Sequence, residues 1–314
     1  MGKVLAVCLS EAKGTQKKDV QKALLVVQHG LSGDAHAGDW HRQVSLLSHD
    51  KIEEFRARGA QVQHGAFGEN LVVEGVDFAA LPVGTHFFVG DAELELTQIG
   101  KECHHGCAIF RQMGDCIMPR QGVFARVLCG GEVQVGDELS WQKPENGYRV
   151  AVLTASDKGA AGQRQDESGP LVAQLARQEG YRVVENLLLP DDQPALEAAL
   201  RRLCDENAAD LVLSTGGTGF APRDCMPEAT LAVCERPAPG IAEAMRAASM
   251  QVTGRAMLSR GVAALRKQTL IVNLPGSPKA ARENLLAVLP QLAHGLDMLT
   301  AKAGECAQNP ALQG

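Results

Sequence analysis

Neither a basic surplus, nor a long apolar run, nor a dense framework of paired cysteines is present in this chain of 314 residues. Lysine and arginine total 31 against 37 aspartates and glutamates, a formal charge of -6, which argues against a nonspecific nucleic-acid binder. A local pocket can oppose the net charge, so an anionic small ligand stays open. No uncharged apolar stretch reaches the length that spans a bilayer. Met1 to Gly14 holds only a short, interrupted apolar stretch without a cleavage-site pattern, so no signal peptide is read. Ala6 stands where myristoylation needs Ser or Thr. These absences predict a cytoplasmic protein with neither membrane nor nucleic acid as partner. The nine cysteines are odd in number and spread along the chain, with Cys103, Cys107, Cys116 and Cys129 in one short region. That pattern fits a reduced compartment with one thiol-bearing site better than a set of disulfides. Internal repeats and low-complexity tracts are also missing, and the length points to two domains.

What is present falls into two textures. From 1 to 141 the apolar runs are short and bounded by Gly, Asp or Asn. Val4–Leu9, Ala23–Val27, Val44–Leu47, Leu71–Val73, His86–Val89, Leu94–Ile99 and Val123–Leu128 read as strands. Asp50–Arg58 gives a clear helical pattern, with Ile52 and Phe55 on one face, and Val133–Leu139 looks like a closing hairpin. Many strands with few helices predict a β-rich barrel or a small sandwich. Residues 142–147 are polar and carry Pro144, Asn146 and Gly147, which suits a linker. From 148 to about 304, strands (Tyr148–Thr154, Val183–Leu188, Asp210–Ser214, Leu270–Asn273) alternate with helices (Leu171–Gln178, Ala195–Glu206, Pro278–Leu299). This alternation predicts an α/β domain whose mostly parallel sheet is covered by helices.

Ligands on open α/β sheets bind beyond the carboxyl ends of the strands, so the residues after each strand carry the information. They are Ser156-Asp157-Lys158-Gly159, then Pro190-Asp191-Asp192, then Thr215-Gly216-Gly217-Thr218-Gly219 with Pro222-Arg223-Asp224, then Asn273-Leu274-Pro275-Gly276. Glycines let backbone N–H groups approach an anion, so Thr215–Gly219 is a candidate phosphate cradle. Taken alone it reads equally as a tight loop. Asp191 alone reads as a helix cap, and Asp224 alone as a turn residue or an ion-pair partner of Arg223. Together at one sheet edge, the two carboxylates suit Mg²⁺ beside a polyphosphate.

These residues carry a resemblance. Thr215–Gly219, Pro222-Arg223-Asp224, Pro227-Glu228-Ala229-Thr230, Pro239-Gly240, Ala256-Met257-Leu258-Ser259-Arg260 and Asn273–Gly276 resemble, in order and spacing, the MogA/MoaB/gephyrin G-domain family over residues 148–300. The resemblance implies a three-layer α/β domain that assembles as a homotrimer. It also implies an activity, adenylylation of molybdopterin by Mg-ATP with release of pyrophosphate. Asp191 and Asp224 fall on the family's catalytic pair and would hold Mg²⁺. Thr215, Gly216, Gly217, Thr218, Gly219, Ser259, Asn273, Pro275 and Gly276 fall on its ligand-binding loops.

In the first half, histidines and cysteines stand out. The Cys103-His104-His105-Gly106-Cys107 run with Cys116 could supply four zinc ligands, or its cysteines could be small buried hydrophobes. Gly33–Leu47, Phe67-Gly68-Glu69-Asn70-Leu71 and the Thr97–Cys103 segment resemble a MOSC domain over residues 1–141. That resemblance implies a β-rich module that binds molybdenum cofactor or carries sulfur through one cysteine, here Cys103, as a molybdenum ligand or persulfide carrier. Arg42 is a candidate for the pterin phosphate. The sequence departs from the small-MOSC pattern at Ile99-Gly100-Lys101-Glu102, where Pro-Arg and a further Pro are expected.

The combined reading is a bifunctional assembly protein. One half makes adenylylated molybdopterin, and the other holds or modifies the finished cofactor, with molybdenum-insertion or molybdoenzyme proteins as partners. The alternatives are a non-catalytic molybdenum or tungsten cofactor carrier, and a zinc-stabilised scaffold with a phosphate-binding domain.

Overall fold

The computed structural model describes residues 1–101 and 108–300. The chain divides into two compact units, the first ending at Pro144 and the second beginning at Glu145. The first contains β1 (Gly2–Leu9), β2 (Lys18–Asp19), β3 (Lys22–Val26), β4 (Gly30–Leu31), β5 (Val44–Ser48), α1 (His49–Ala57), β6 (Leu71–Glu74), β7 (His86–Val89), β8 (Ala92–Ile99), α2 (Ala108–Met113), α3 (Met118–Gln121), β9 (Val123–Cys129), β10 (Gly131–Gln134) and β11 (Glu138–Gln142). Seven of these strands close a barrel in the order β11-β7-β8-β9-β5-β6-β1, sealed by pairing of β1 with β11.

The barrel forms because its strands alternate. In β8, Ala92, Leu94 and Leu96 turn inward while Glu93, Glu95 and Thr97 turn out. A bulge between Val4 and Ala6 lets β1 serve two layers: Val4 and Val7 join the barrel interior, while Ala6 and Cys8 join an outer cluster with Ile52 and Phe55 of α1. The expected hairpin at Val133–Leu139 is not one. β10 pairs with β3, whereas β11 pairs with β1 and β7, so the stretch is a corner between two sheets. Gly136, at φ +100°, makes that corner.

The second unit contains β12 (Arg149–Ala155), α4 (Asp157–Ala160), α5 (Ser168–Gln178), β13 (Arg182–Leu189), α6 (Gln193–Asp205), β14 (Leu211–Thr215), α7 (Met226–Val233), β15 (Arg236–Pro237), α8 (Pro239–Met250), β16 (Ala263–Arg266), β17 (Thr269–Leu274) and α9 (Pro278–Leu299). The sheet runs β13-β12-β14-β17-β16-β15. The first four strands are parallel, and β16 and β15 are antiparallel at the far edge. Alternate residues of the central strands face opposite layers. Val150 and Val152 pack with α5, α8 and α9, while Ala151 and Leu153 pack with α6 and α7. This is the three-layer α/β sandwich expected, with α7, α8 and the antiparallel edge as elements the periodicity did not mark. Because β12, β13, β14 and β17 are parallel, their carboxyl ends meet at one edge. The chain leaves β12 to β13 on one side and returns to β14 on the other, which opens a crevice between them.

Leu200 of α6 is fully buried against the sheet with Leu196 and Leu203. Leu200→Ala should destabilise the second unit by about 2–5 kcal/mol, measured by urea unfolding. A loss below about 1 kcal/mol would contradict this packing.

Candidate functional site

The glycine turn is built by close backbone approach. Gly216 has φ +94° and Gly217 φ +62°. A Cβ on Gly216 would sit 2.2 Å from the Ala155 carbonyl oxygen at the end of β12, and one on Gly276 would sit 3.1 Å from the Gly216 Cα. Only glycine lets these three strand ends converge. The Gly216 N–H donates to Leu274 O (3.3 Å) and the Thr215 hydroxyl to Pro275 O (2.8 Å), which stitches the turn to the end of β17. Those two donors are therefore used internally. The N–H groups of Gly217, Thr218 and Gly219 find no acceptor among the described residues and are the donors the turn offers to an anion.

Asp191 is not the helix cap. Asp192 caps α6, its Oδ1 accepting from Ala195 N at 3.0 Å, and leaves Asp191 to the crevice. There Asp157 N donates to Asp191 Oδ2 and Asp191 N donates to Asp157 Oδ1, both at 3.0 Å, so each carboxylate fixes the other's backbone. Arg223 binds Asp157 bidentately, Nε to Oδ2 at 3.0 Å and Nη2 to Oδ1 at 2.8 Å. Arg223 thus pairs with Asp157 rather than with Asp224. Asp191 Oδ1 is buried without a hydrogen-bond partner among the described residues. A Cβ on Gly217 would approach this oxygen to 2.9 Å, and one on Gly219 would approach Asp224 Oδ2 to 2.8 Å, so the two carboxylates flank the glycine turn. Burial, reinforced by the charges of Asp157 and Asp224, raises the Asp191 pKa above the usual carboxylate value. The hydrogen bonds from Arg223 hold Asp157 below it.

Sequence reasoning quoted Arg260 within a motif but gave it no role. Its Nε donates to Gly219 O (2.6 Å), its Nη2 to Asp224 O (2.8 Å), its Nη1 bonds Glu228, and its own N–H reaches Thr218 O (3.0 Å). One residue, through its side chain and its backbone N–H, therefore holds both ends of the Thr218–Asp224 loop. Asp224 itself accepts from Ala221 N at 3.0 Å through Oδ2, the turn contact expected of it. Asn273 serves as a brace. It is 1% exposed, its amide donates to Ser214 Oγ and Thr230 Oγ1 (both 2.9 Å), and its Oδ1 accepts from Val262 N at 3.3 Å. Its side chain is thus taken up inside the fold, away from the crevice.

Two clefts flank the turn and both include Gly217, Asp224 and Gly276. One, of about 480 Å³, is polar and reaches Asp191, Arg164, Asp166 and Ser168. The Thr154 hydroxyl, which also lines it, is buried without a partner among the described residues. The other, of about 450 Å³, runs past Ser259, Leu258, Ala256, Pro275 and Asn284.

In the first unit, Arg42 is half-buried. Its Nε donates to Gln98 Oε1 at 2.9 Å, and its guanidinium lies over the Phe124 ring, 5.3 Å from the centroid. It lines a cavity of about 780 Å³. Cys103, with His104, His105 and Cys107, lies outside the described residues. Cys116 is buried in the outer cluster, and no group of three or more metal-ligating side chains occurs among the described residues. Cys8 is buried and its thiol pushed up to about 12, chiefly by desolvation, which makes it inert. Of the Phe67–Leu71 motif, Glu69 accepts from Gly65 N (2.7 Å) and Phe67 N (3.0 Å) and fixes the loop beside the cavity.

Comparison with known proteins divides the chain at the same place. Residues 151–294 match the family described as probable molybdopterin binding domain, and residues 33–140 match the MOSC domain. A molybdopterin adenylyltransferase of Haemophilus influenzae is 43% identical over 143 residues, 45% of this chain and 72% of that protein. One of Helicobacter pylori is 40% identical over 152 residues, 48% of this chain and 86% of that protein. Among solved structures, the molybdopterin biosynthesis enzyme MoaB of Thermus thermophilus is 47% identical, with a TM-score of 0.47, over 49% of this chain and 97% of that one.

The raised Asp191 pKa fixes a sign. A carboxyl group whose folded pKa exceeds its unfolded value costs stability once ionised, and that cost fades as pH falls through the folded pKa. Asp191→Asn should therefore raise the unfolding midpoint near neutral pH. The gain should shrink as the pH falls through the raised folded pKa, where Asp191 itself takes up a proton. Thermal melts across that range test it; a variant destabilised at neutral pH would contradict the strained carboxylate.

Proposed function

Because the chain belongs, through its second unit, to the family of the molybdopterin adenylyltransferases, we propose that this unit transfers the adenylyl group of ATP to molybdopterin. The observation that carries the reading is the buried Asp191 Oδ1, without a partner among the described residues, held beside Asp224 and the open N–H groups of the glycine turn. The terminal phosphate of molybdopterin attacks the α-phosphorus of ATP, the bond to the β-phosphate bridging oxygen breaks, and adenylyl-molybdopterin and pyrophosphate leave. The nucleophile is already ionised, so no strong general base is required. The N–H groups of Gly217, Thr218 and Gly219 bind phosphate oxygens as negative charge develops on them. Arg260 positions the loop that carries Asp224, and the Asp157–Arg223 pair positions Asp191.

The carboxylates fit a hard divalent cation. Among the described residues one oxygen lacks a partner and neither carboxylate is paired with an arginine or lysine, and Mg²⁺ binds through one or two such groups. Asp191 and Asp224 would hold it. When bound it supplies neutralisation of the triphosphate charge and orientation of the leaving pyrophosphate.

For the first unit, the MOSC match supports binding of the finished molybdenum cofactor in the cavity that Arg42 lines, with Cys103 as metal ligand or sulfur carrier. Assembly as a homotrimer through the second unit is consistent with the exposed Val252, Met257 and Leu258. Among the described residues, no helix is long and apolar enough to cross a membrane.

Asp224→Ala should abolish formation of adenylyl-molybdopterin while molybdopterin binding persists, read by product chromatography beside equilibrium binding. Wild-type turnover in that variant would contradict the assignment. Ionised Asp191 is required, so kcat/KM, which reports the free enzyme, should fall with decreasing pH earlier than an ordinary carboxylate would dictate. An acid limb at the usual aspartate value would remove Asp191 from the mechanism.

A further inference from the structure

Phe220 stands in the loop that carries Asp224, and the adenylyl-transfer reading gives it no part. It is 69% exposed, more than any other large apolar side chain among the described residues. Single exposed apolar side chains are ordinary on a protein surface. What sets this one apart is how firmly its backbone is held. Immediately before it, Gly219 O accepts from Arg260 Nε at 2.6 Å. Immediately after it, Ala221 and Asp224 close a turn in both directions: Asp224 N donates to Ala221 O at 2.9 Å, and Ala221 N donates to Asp224 Oδ2 at 3.0 Å. Within that turn the ring of Pro222 fixes its own φ. The Phe220 ring pairs with no other aromatic or cationic side chain among the described residues. A bare aromatic face is therefore carried on a fixed loop.

Phe220 lines a cleft of about 430 Å³ with Ala221, Pro222, Asp224 and Arg260, a volume in the range of small-molecule sites. Asp224 also lines both clefts beside the glycine turn, so this third cleft opens from the same carboxylate. The Nε, Nη1 and Nη2 of Arg260 are engaged in the guanidinium plane by Gly219 O, Glu228 and Asp224 O, which leaves the flat face of the group. A free oxyanion gains nothing from Phe220 and meets the charge of Asp224. An aliphatic chain gains little from Arg260. A planar nitrogen heterocycle stacks on both an aromatic ring and a guanidinium.

We propose that Phe220 is the stacking platform for the planar heterocycle of one of the two substrates, seated in the cleft that it lines with Arg260. The proposal rests on the adenylyl-transfer reading, which supplies two such rings, the adenine of ATP and the pterin. Each ring is joined to a phosphate, and the N–H groups that the turn offers to phosphate end at Gly219, next to Phe220 in the chain.

Equilibrium binding of Mg-ATP and of molybdopterin to the full chain is measured separately for the wild type, Phe220→Ala, Phe220→Leu and Phe220→Trp. Phe220→Ala should weaken one ligand about tenfold or more and leave the other within about twofold, as loss of a base-on-aromatic stack does. Phe220→Trp should keep the affinity, whereas Phe220→Leu, which retains apolar area without a π face, should not. Loss confined to Mg-ATP assigns the adenine, and loss confined to molybdopterin assigns the pterin. Unchanged affinity for both ligands in Phe220→Ala overturns the proposal and leaves the adenylyl-transfer reading intact. Recovery by Phe220→Leu overturns the stack by reducing the contact to apolar area. Equal loss of both ligands overturns it as well, because it marks a distorted loop rather than a missing ring face. A change in the sedimentation of the unliganded chain in Phe220→Ala overturns it in favour of an interface between copies. A wild type that binds neither ligand takes the adenylyl-transfer reading down with the proposal.

Discussion

The second unit depends on the mutual grip of Asp157 and Asp191. Each backbone N–H donates to the other's carboxylate, and Arg223 closes the arrangement on Asp157. Both oxygens of Asp157 and one of Asp191 are thereby occupied, which isolates Asp191 Oδ1 as a buried acceptor with no donor among the described residues. A carboxylate held in this way is costly to the fold and useful to a ligand. The parallel sheet makes the grip possible, because it delivers the ends of β12, β13, β14 and β17 to one edge.

Around that point the polar elements are held by single multidentate side chains. Arg260 ties down the loop from Thr218 to Asp224, and Asn273 braces β14 to α7 and β17 beneath it. The glycines at 216 and 276 allow the loops to touch where any side chain would separate them. The result is a preorganised edge in which donors and carboxylates occupy their places before a ligand arrives, the condition under which electrostatic stabilisation is effective.

Much of this was legible in the sequence, for a physical reason. Strand periodicity, the glycine turn and the aspartates after the strands are local patterns. The barrel, the α/β alternation and the placement of Asp191 and Asp224 at one edge follow from them. The partnerships are not local. Asp157 and Asp191 are 34 residues apart, Asp157 and Arg223 are 66 apart, and Arg260 reaches back 41 residues to Gly219. Register and crossover decide such contacts, so the pairing of Arg223 with Asp157 was not foreseen, and Asn273 was read as a ligand residue while its side chain serves as a brace. The Val133–Leu139 corner misled because a hairpin and a sheet-to-sheet corner use the same turn residues.

The most direct test of the central claim follows the α-phosphorus of ATP. The purified full chain is incubated with molybdopterin, Mg²⁺ and ATP labelled at that atom. Recovery of the label in the pterin product, with unlabelled pyrophosphate released in equal amount, is the predicted result. Label recovered only in ATP, AMP or ADP while molybdopterin stays tightly bound would contradict it and leave a carrier.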